Sequence, residues 1–190
     1  MIKLILLAFV ITTISAAQAQ NTGTRFPDLD KSPMDMAYFP NGYPVAKIQG
    51  KATEPVVARV IYSRPQKNNR VIFGELVEYG KVWRLGANEA TEIEFFKDVT
   101  IDGKRIKKGR YTLYALVNPD QWTLIFNKET DIWGAFKYDE KKDVLRVNVP
   151  VQKMTAPLEA FTMYFEKSAT GANLLMGWDD VMVSLPIAVK

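Results

Sequence analysis

The chain contains no histidine and no cysteine. Without imidazole there is no Ser-His-Asp or Cys-His pair, and the common zinc hydrolase sites go with it. Without thiols there is no thiolate nucleophile, disulfide framework, iron–sulfur cluster or thiolate zinc centre. Oxygen-ligated ions such as calcium would need a D-x-D-x-D-G loop or an equivalent, and no such loop occurs. No cofactor and no metal are therefore expected. Any acid–base chemistry would fall to Asp, Glu, Lys or Tyr. Charge of one sign is also scarce: Lys plus Arg is 25 and Asp plus Glu is 21, a net charge of +4. That balance gives no argument for a nucleic acid or an anionic membrane as partner.

Hydrophobic residues make up 47% of the 190 positions, enough for one domain with a sizeable core. Residues 1–19 read as a secretory signal peptide. Lys3 forms the positive end, Leu4 to Ile14 the apolar stretch, and Ala17-Gln18-Ala19 the cleavage site. The stretch falls short of the roughly 20 residues that a membrane-crossing helix needs. The expected product is exported to the periplasm or beyond, with no membrane insertion after cleavage.

Residues 20–44 hold Pro27, Pro33, Pro40 and Pro44 among Asp, Gly and Asn, and read as an irregular arm anchored by Phe26, Met34, Met36, Tyr38 and Phe39. Residues 45–190 read as a single domain of strands. Period-two alternation or β-branched runs mark Val56–Tyr62, Arg70–Phe73, Thr91–Phe95, Arg110–Val117, Trp122–Phe126, Leu145–Val151, Phe161–Phe165 and Val181–Ile187. Asp102-Gly103 between Val99–Ile101 and Arg105–Ile106 predicts a type I′ hairpin. No stretch carries a helical stripe. The predicted class is all-β, an antiparallel sandwich of jelly-roll type with an irregular N-terminal arm.

Function-bearing residue types concentrate between Ser63 and Thr91, punctuated by Gly74, Gly80 and Gly86. A loop held between strands is a usual place for a site. Here Arg64, Trp83, Arg84, Asn88, Glu89 and Thr91 are the candidate ligand-binding residues. The indole offers a stacking face, and the guanidinium and carboxamide groups offer directed hydrogen bonds to a polar small molecule such as a glycan. The competing reading makes the same residues scaffolding: an Arg84–Glu89 ion pair, an Asx turn at Asn88 and a core Trp83.

Three weaker features stand beside it. Glu92 and Glu94 lie about 7 Å apart by strand rise, within the roughly 5–9.5 Å used by glycosidases, yet their alternation with Ile93 and Phe95 turns them to solvent. Lys104, Arg105, Lys107, Lys108 and Arg110 form a basic run best read as a charge-protected edge. Asp179-Asp180 is an acidic pair too small for a calcium site.

The strings Ser63-Arg64-Pro65, Trp83-Arg84, Gly86-Ala87-Asn88-Glu89-Ala90-Thr91, Gly109-Arg110-Tyr111-Thr112-Leu113, Trp133-Gly134 and Asp143-Val144-Leu145-Arg146-Val147 resemble the secreted, Bacteroidetes-type bacterial family known as domain of unknown function 2911. The resemblance runs from about Val56 to the C-terminus. It implies an exported β-rich protein and assigns no activity. The leading expectation is a non-catalytic binding or accessory module for a polar ligand. The alternatives are a carbohydrate hydrolase or lyase using Asp, Glu or Tyr, and a structural partner module.

Overall fold

A computed structural model describes residues 26–189. The segment read as a signal peptide lies outside the described residues. The elements are β1 (Met34–Phe39), α1 (Tyr43–Ile48), β2 (Ala58–Ser63), β3 (Val82–Trp83), β4 (Glu92–Phe95), β5 (Val99–Ile101), β6 (Lys104–Ile106), β7 (Gly109–Val117), β8 (Gln121–Asn127), β9 (Asp143–Ser168) and β10 (Gly171–Val189). The predicted antiparallel all-β class holds. The strands form one ten-stranded sheet in the order β1-β2-β4-β7-β8-β9-β10-β5-β6, with β3 also on β7. Among the described residues no helix is long and apolar enough to cross a membrane.

Alternation decides which side chains face the core. Ile93 and Phe95 are buried while Glu92 and Glu94 sit half-exposed on the other side. Asp102 and Gly103 both have positive φ, 49° and 71°, as the type I′ turn requires. Asp98 fastens this hairpin by accepting from the Lys108 backbone N–H and the Arg105 guanidinium. Those bonds hold its carboxyl below the usual range, and exposure limits what they add to stability.

Three elements depart from the sequence reading. Part of the arm is regular, because Met34–Phe39 pairs along the whole of β2. Arg70–Phe73 is not a strand. Asn68 and Asn69 turn the chain through left-handed conformations (φ 48° and 58°), and Ile72 and Phe73 then plug the core from a loop. The runs at Leu145–Val151 and Phe161–Phe165 belong to one strand of 26 residues. Its first part pairs with β8 and the remainder with β10. The exposed stretch around Pro157 read as a break because it has no apolar face. Pro can sit there because the ladder is irregular, with register shifts beside Asp179.

β7 and β8 are buried on both faces. Leu113, Ala115, Leu124 and Phe126 belong to the main core. Tyr114 and Ile125, opposite one another in the ladder, form a second cluster with Ala90, packed against Val82, Leu116, Ile132, Ala135 and Tyr138. The cover on this outer face is the segment 131–138.

The long β9–β10 hairpin depends on Gly171. Its φ is +153°, and a Cβ there would lie 2.3 Å from the Ile187 carbonyl oxygen. Gly171→Ala is expected to cost more than about 1 kcal/mol in denaturant unfolding. Wild-type stability in that variant would contradict the geometry.

Candidate functional site

β3 and β4 lie along the same edge of β7. Trp83 pairs with Ala115 and Glu92 with Thr112. The chain between them, 84–91, therefore stands against only Leu113 and Tyr114, and must leave the sheet as a loop. The loop is closed by its own residues. The Thr91 N–H donates to the Arg84 carbonyl (3.0 Å). The Thr91 hydroxyl donates to the Leu85 carbonyl (2.6 Å) and the Trp83 indole N–H to the Gly86 carbonyl (3.1 Å). Leu85 and Asn88 take positive φ, 57° and 58°. At Gly86 a Cβ would come within 3.0 Å of the Ser63 carbonyl oxygen, so the loop lies backbone-to-backbone on β2.

Trp83 is core. Its ring meets Trp178 (6.0 Å between centroids, nearly parallel), Phe161 (5.2 Å), Trp122 (5.8 Å) and Phe73 (6.3 Å). Such pairs contribute about 0.5–1.5 kcal/mol each beyond burial. The indole is thus not an open stacking face. Thr91 is fully buried in closing the loop. Arg64 joins three elements: it donates to Asp35 in β1 (2.9 Å), and to the Phe161 carbonyl (3.2 Å) and the Thr162 hydroxyl (2.9 Å) in β9. Asn88 serves through its backbone, its carbonyl accepting from the Gly134 N–H (2.9 Å). These four residues build the loop and its seat.

Arg84 and Glu89 remain, and they do not meet. Among the described residues neither side chain has a hydrogen-bond or ion-pair partner, so the ion pair of the scaffolding reading is absent. Glu89 is exposed. Arg84 is half-buried, its Nε is fully buried with no acceptor, and burial alone pushes its pKa down. The other described arginines all donate: Arg59 to Glu94, Arg64 to Asp35, Arg70 to backbone carbonyls, Arg105 to Asp98, Arg110 to Glu92 and Asp131, and Arg146 to Asp143. A buried donor left without a partner costs about 1–3 kcal/mol.

The segment 131–138 sits on the loop. Ala90 N–H donates to the Ile132 carbonyl (2.9 Å), and Glu89 pairs with Trp133 in a one-residue antiparallel bridge. Two hollows result. One, of about 180 Å³, is lined by Glu89, Glu92, Asp131 and apolar neighbours. The other, of about 230 Å³, is lined by Arg84, Lys81, Glu78, Leu76, Ala135 and Phe136 together with Val77, Val82 and Trp83. Exposed aromatic surface is supplied by Phe136 (83%) and Trp133 (60%) rather than Trp83 (8%). The sequence reading missed both as site residues. The sign available was a Trp-Gly-Ala-Phe string inside a charged stretch, where burial has little to offer an aromatic ring.

The remaining acidic motifs are tied up locally. Glu92 pairs with Arg110 at 3.4 Å and Glu94 with Arg59, so neither is a free acid or base. Asp179 pairs with Lys67 and Asp180 with Lys153 (2.8 Å).

The fold and the loop define an antiparallel β-sheet protein that carries a self-closed loop pinned to an aromatic core, with a hollow at its neck. The chain belongs to the family described as protein of unknown function (DUF2911), whose model matches residues 44–187. No curated protein and no solved structure matches the chain.

Trp83→Ala should cost about 3–5 kcal/mol, as for a large aromatic removed from a core. Arg84→Met should change stability by less than about 0.5 kcal/mol or raise it, since no partner is orphaned. Denaturant unfolding of both variants checks the contrast.

Segment 131–138 is latched at Tyr138. The Tyr138 hydroxyl donates to Asp143 (2.6 Å) and accepts from Arg146 (2.6 Å). Burial, aided for Tyr138 by the Asp143 bond, pushes the Tyr114 and Tyr138 phenols up to about 12. An unfolded phenol titrates near 10. The native state then holds more protons between about pH 10 and 12, so their contribution is complete below about pH 10 and is lost as pH rises toward 12. Tyrosinate absorbance should show a late-titrating class, reduced in Tyr138→Phe. Titration of every tyrosine near 10 would refute the latch.

Proposed function

We propose that the protein is an exported, non-catalytic binding or accessory module of the cell envelope, and that its polar ligand, a glycan, is taken at the hollow beside Arg84. One observation carries this reading: Arg84 is the described arginine without an acceptor, and it lines a cavity bordered by a second cation, Lys81, and an exposed ring, Phe136. The terminal Nη groups of Arg84, unlike its sealed Nε, are open to the hollow and have no protein acceptor, so a ligand oxygen can accept from them. Phe136 takes the stacking role first expected of Trp83. Export rests on the signal-like residues 1–19.

The experiment is calorimetric binding of a panel of neutral and acidic oligosaccharides to the wild-type chain and to Arg84→Ala. A charge-assisted hydrogen bond is worth about 1.5–3 kcal/mol, so the variant should bind at least tenfold more weakly with its melting temperature nearly unchanged. A wild-type chain that binds nothing on the panel, or an Arg84→Ala variant that binds equally well, would remove the proposal.

A further inference from the structure

Resting on that reading, we infer the class of ligand: a singly charged acidic sugar, a hexuronate unit, with its carboxylate on Arg84 and Lys81 and its ring face on Phe136. Charge comes first. The cavity presents two cations, Arg84 and Lys81, and one anion, Glu78. Neither Lys81 nor Glu78 has a side-chain partner among the described residues. The surplus is one positive charge. It suits a monoanion better than a phosphate or a polysulfate, whose further charge would face Glu78. The planar guanidinium matches a carboxylate in a two-bonded fork. Glu78 is itself useful to a sugar, since a carboxylate accepts hydrogen bonds from hydroxyl groups.

Size and shape agree. About 230 Å³ is below the roughly 300–1,000 Å³ of pockets that take drug-sized molecules, so the enclosed part of the ligand is about one ring. The wall is set by a glycine. At Gly134 φ is +71°, and a Cβ would stand 2.5 Å from the Phe136 ring, so the exposed ring lies directly over the Gly134 backbone. The exposed ring at the rim of the hollow gives a stacking face that a sugar can reach. Leu76 and Ala135 add apolar lining that a sugar's C–H face can meet.

The probes are trisaccharides of galacturonate, glucuronate and mannuronate, the methyl esters of the same trisaccharides, and neutral galactose, glucose and mannose trisaccharides. An acidic peptide serves as the competing class. Calorimetry should show at least one uronate bound, with its methyl ester at least tenfold weaker and the neutral sugars weaker still. Phe136→Ala, which removes an exposed ring and so leaves the fold intact, should weaken binding about three- to tenfold. Gly134→Ala should do the same by displacing the ring. Lys104→Ala, on the exposed β5–β6 hairpin, should bind as the wild type does. If neutral sugars bind as tightly as uronates and Arg84→Ala still weakens them, the glycan reading stands and the acidic class falls. If the acidic peptide binds and no uronate does, if no probe binds, or if Lys104→Ala loses as much affinity as Arg84→Ala, the inference is overturned.

Discussion

The indole of Trp83 is the fixed point on which the site depends. Its ring is locked among Trp178, Phe161, Trp122 and Phe73, so it joins β8, β9, β10 and the loop after β2 in one contact region. Its N–H simultaneously closes the loop that begins one residue later. Since a strand alternates its side chains, fixing Trp83 inward puts Val82 and Arg84 on the other side. Val82 meets the second apolar cluster there. Arg84 arrives at the margin of that cluster, where no acceptor waits.

The loop and the segment 131–138 depend on one another. The loop bulges because 84–91 has only Leu113 and Tyr114 opposite it, and a bulge of that size cannot bond its own outer backbone. The segment supplies those bonds at Asn88 and Ala90. In return it buries Ile132, Ala135 and Tyr138 over Tyr114 and Ile125, which would otherwise be an exposed apolar patch on the sheet. Two backbones meeting this way leave hollows at their margins. The sequence decides their character: Glu89, Glu92 and Asp131 make one acidic, and Lys81 and Arg84 make the other basic.

What the sequence made legible was whatever alternation controls. β2 and β4 follow the period-two pattern because one buried face per strand forces it, while β7 and β8, buried on both faces, were legible as apolar runs bounded by turns. β1 was hidden, since an edge strand with exposed Met34 and Met36 has weak alternation. Arg70–Phe73 misled because Ile72, buried, and Phe73, partly buried, plug the core with one isolated bridge to Val77 in place of a ladder, and such burial looks like a strand. The loop 84–91 was found as unusual, but its residues could not be sorted. Trp83, Thr91, Arg64 and Asn88 are held by bonds whose partners lie far along the chain or on backbone atoms, and such bonds leave no periodic trace. Sorting Arg84 from Arg64 needed the acceptor count around each guanidinium.

That sorting separates two demands which one motif meets at once. A Trp-Arg-Leu-Gly-Ala-Asn-Glu-Ala-Thr string used only for folding would be expected to close its charges internally, as Arg64, Arg105, Arg110 and Arg146 do elsewhere in this chain. Here Glu89 lies within reach along the sequence and is not used. The backbone prevents it: the left-handed turns at Leu85 and Asn88 and the bridge from Glu89 to Trp133 carry the carboxylate to the far hollow. A loop whose geometry keeps its own two opposite charges apart sacrifices an ion pair. The Thr91 and Trp83 hydrogen bonds hold the neck in that form. The same bonds that stabilise the loop therefore keep the guanidinium open, and the stability of the scaffold and the availability of the site rest on one set of contacts.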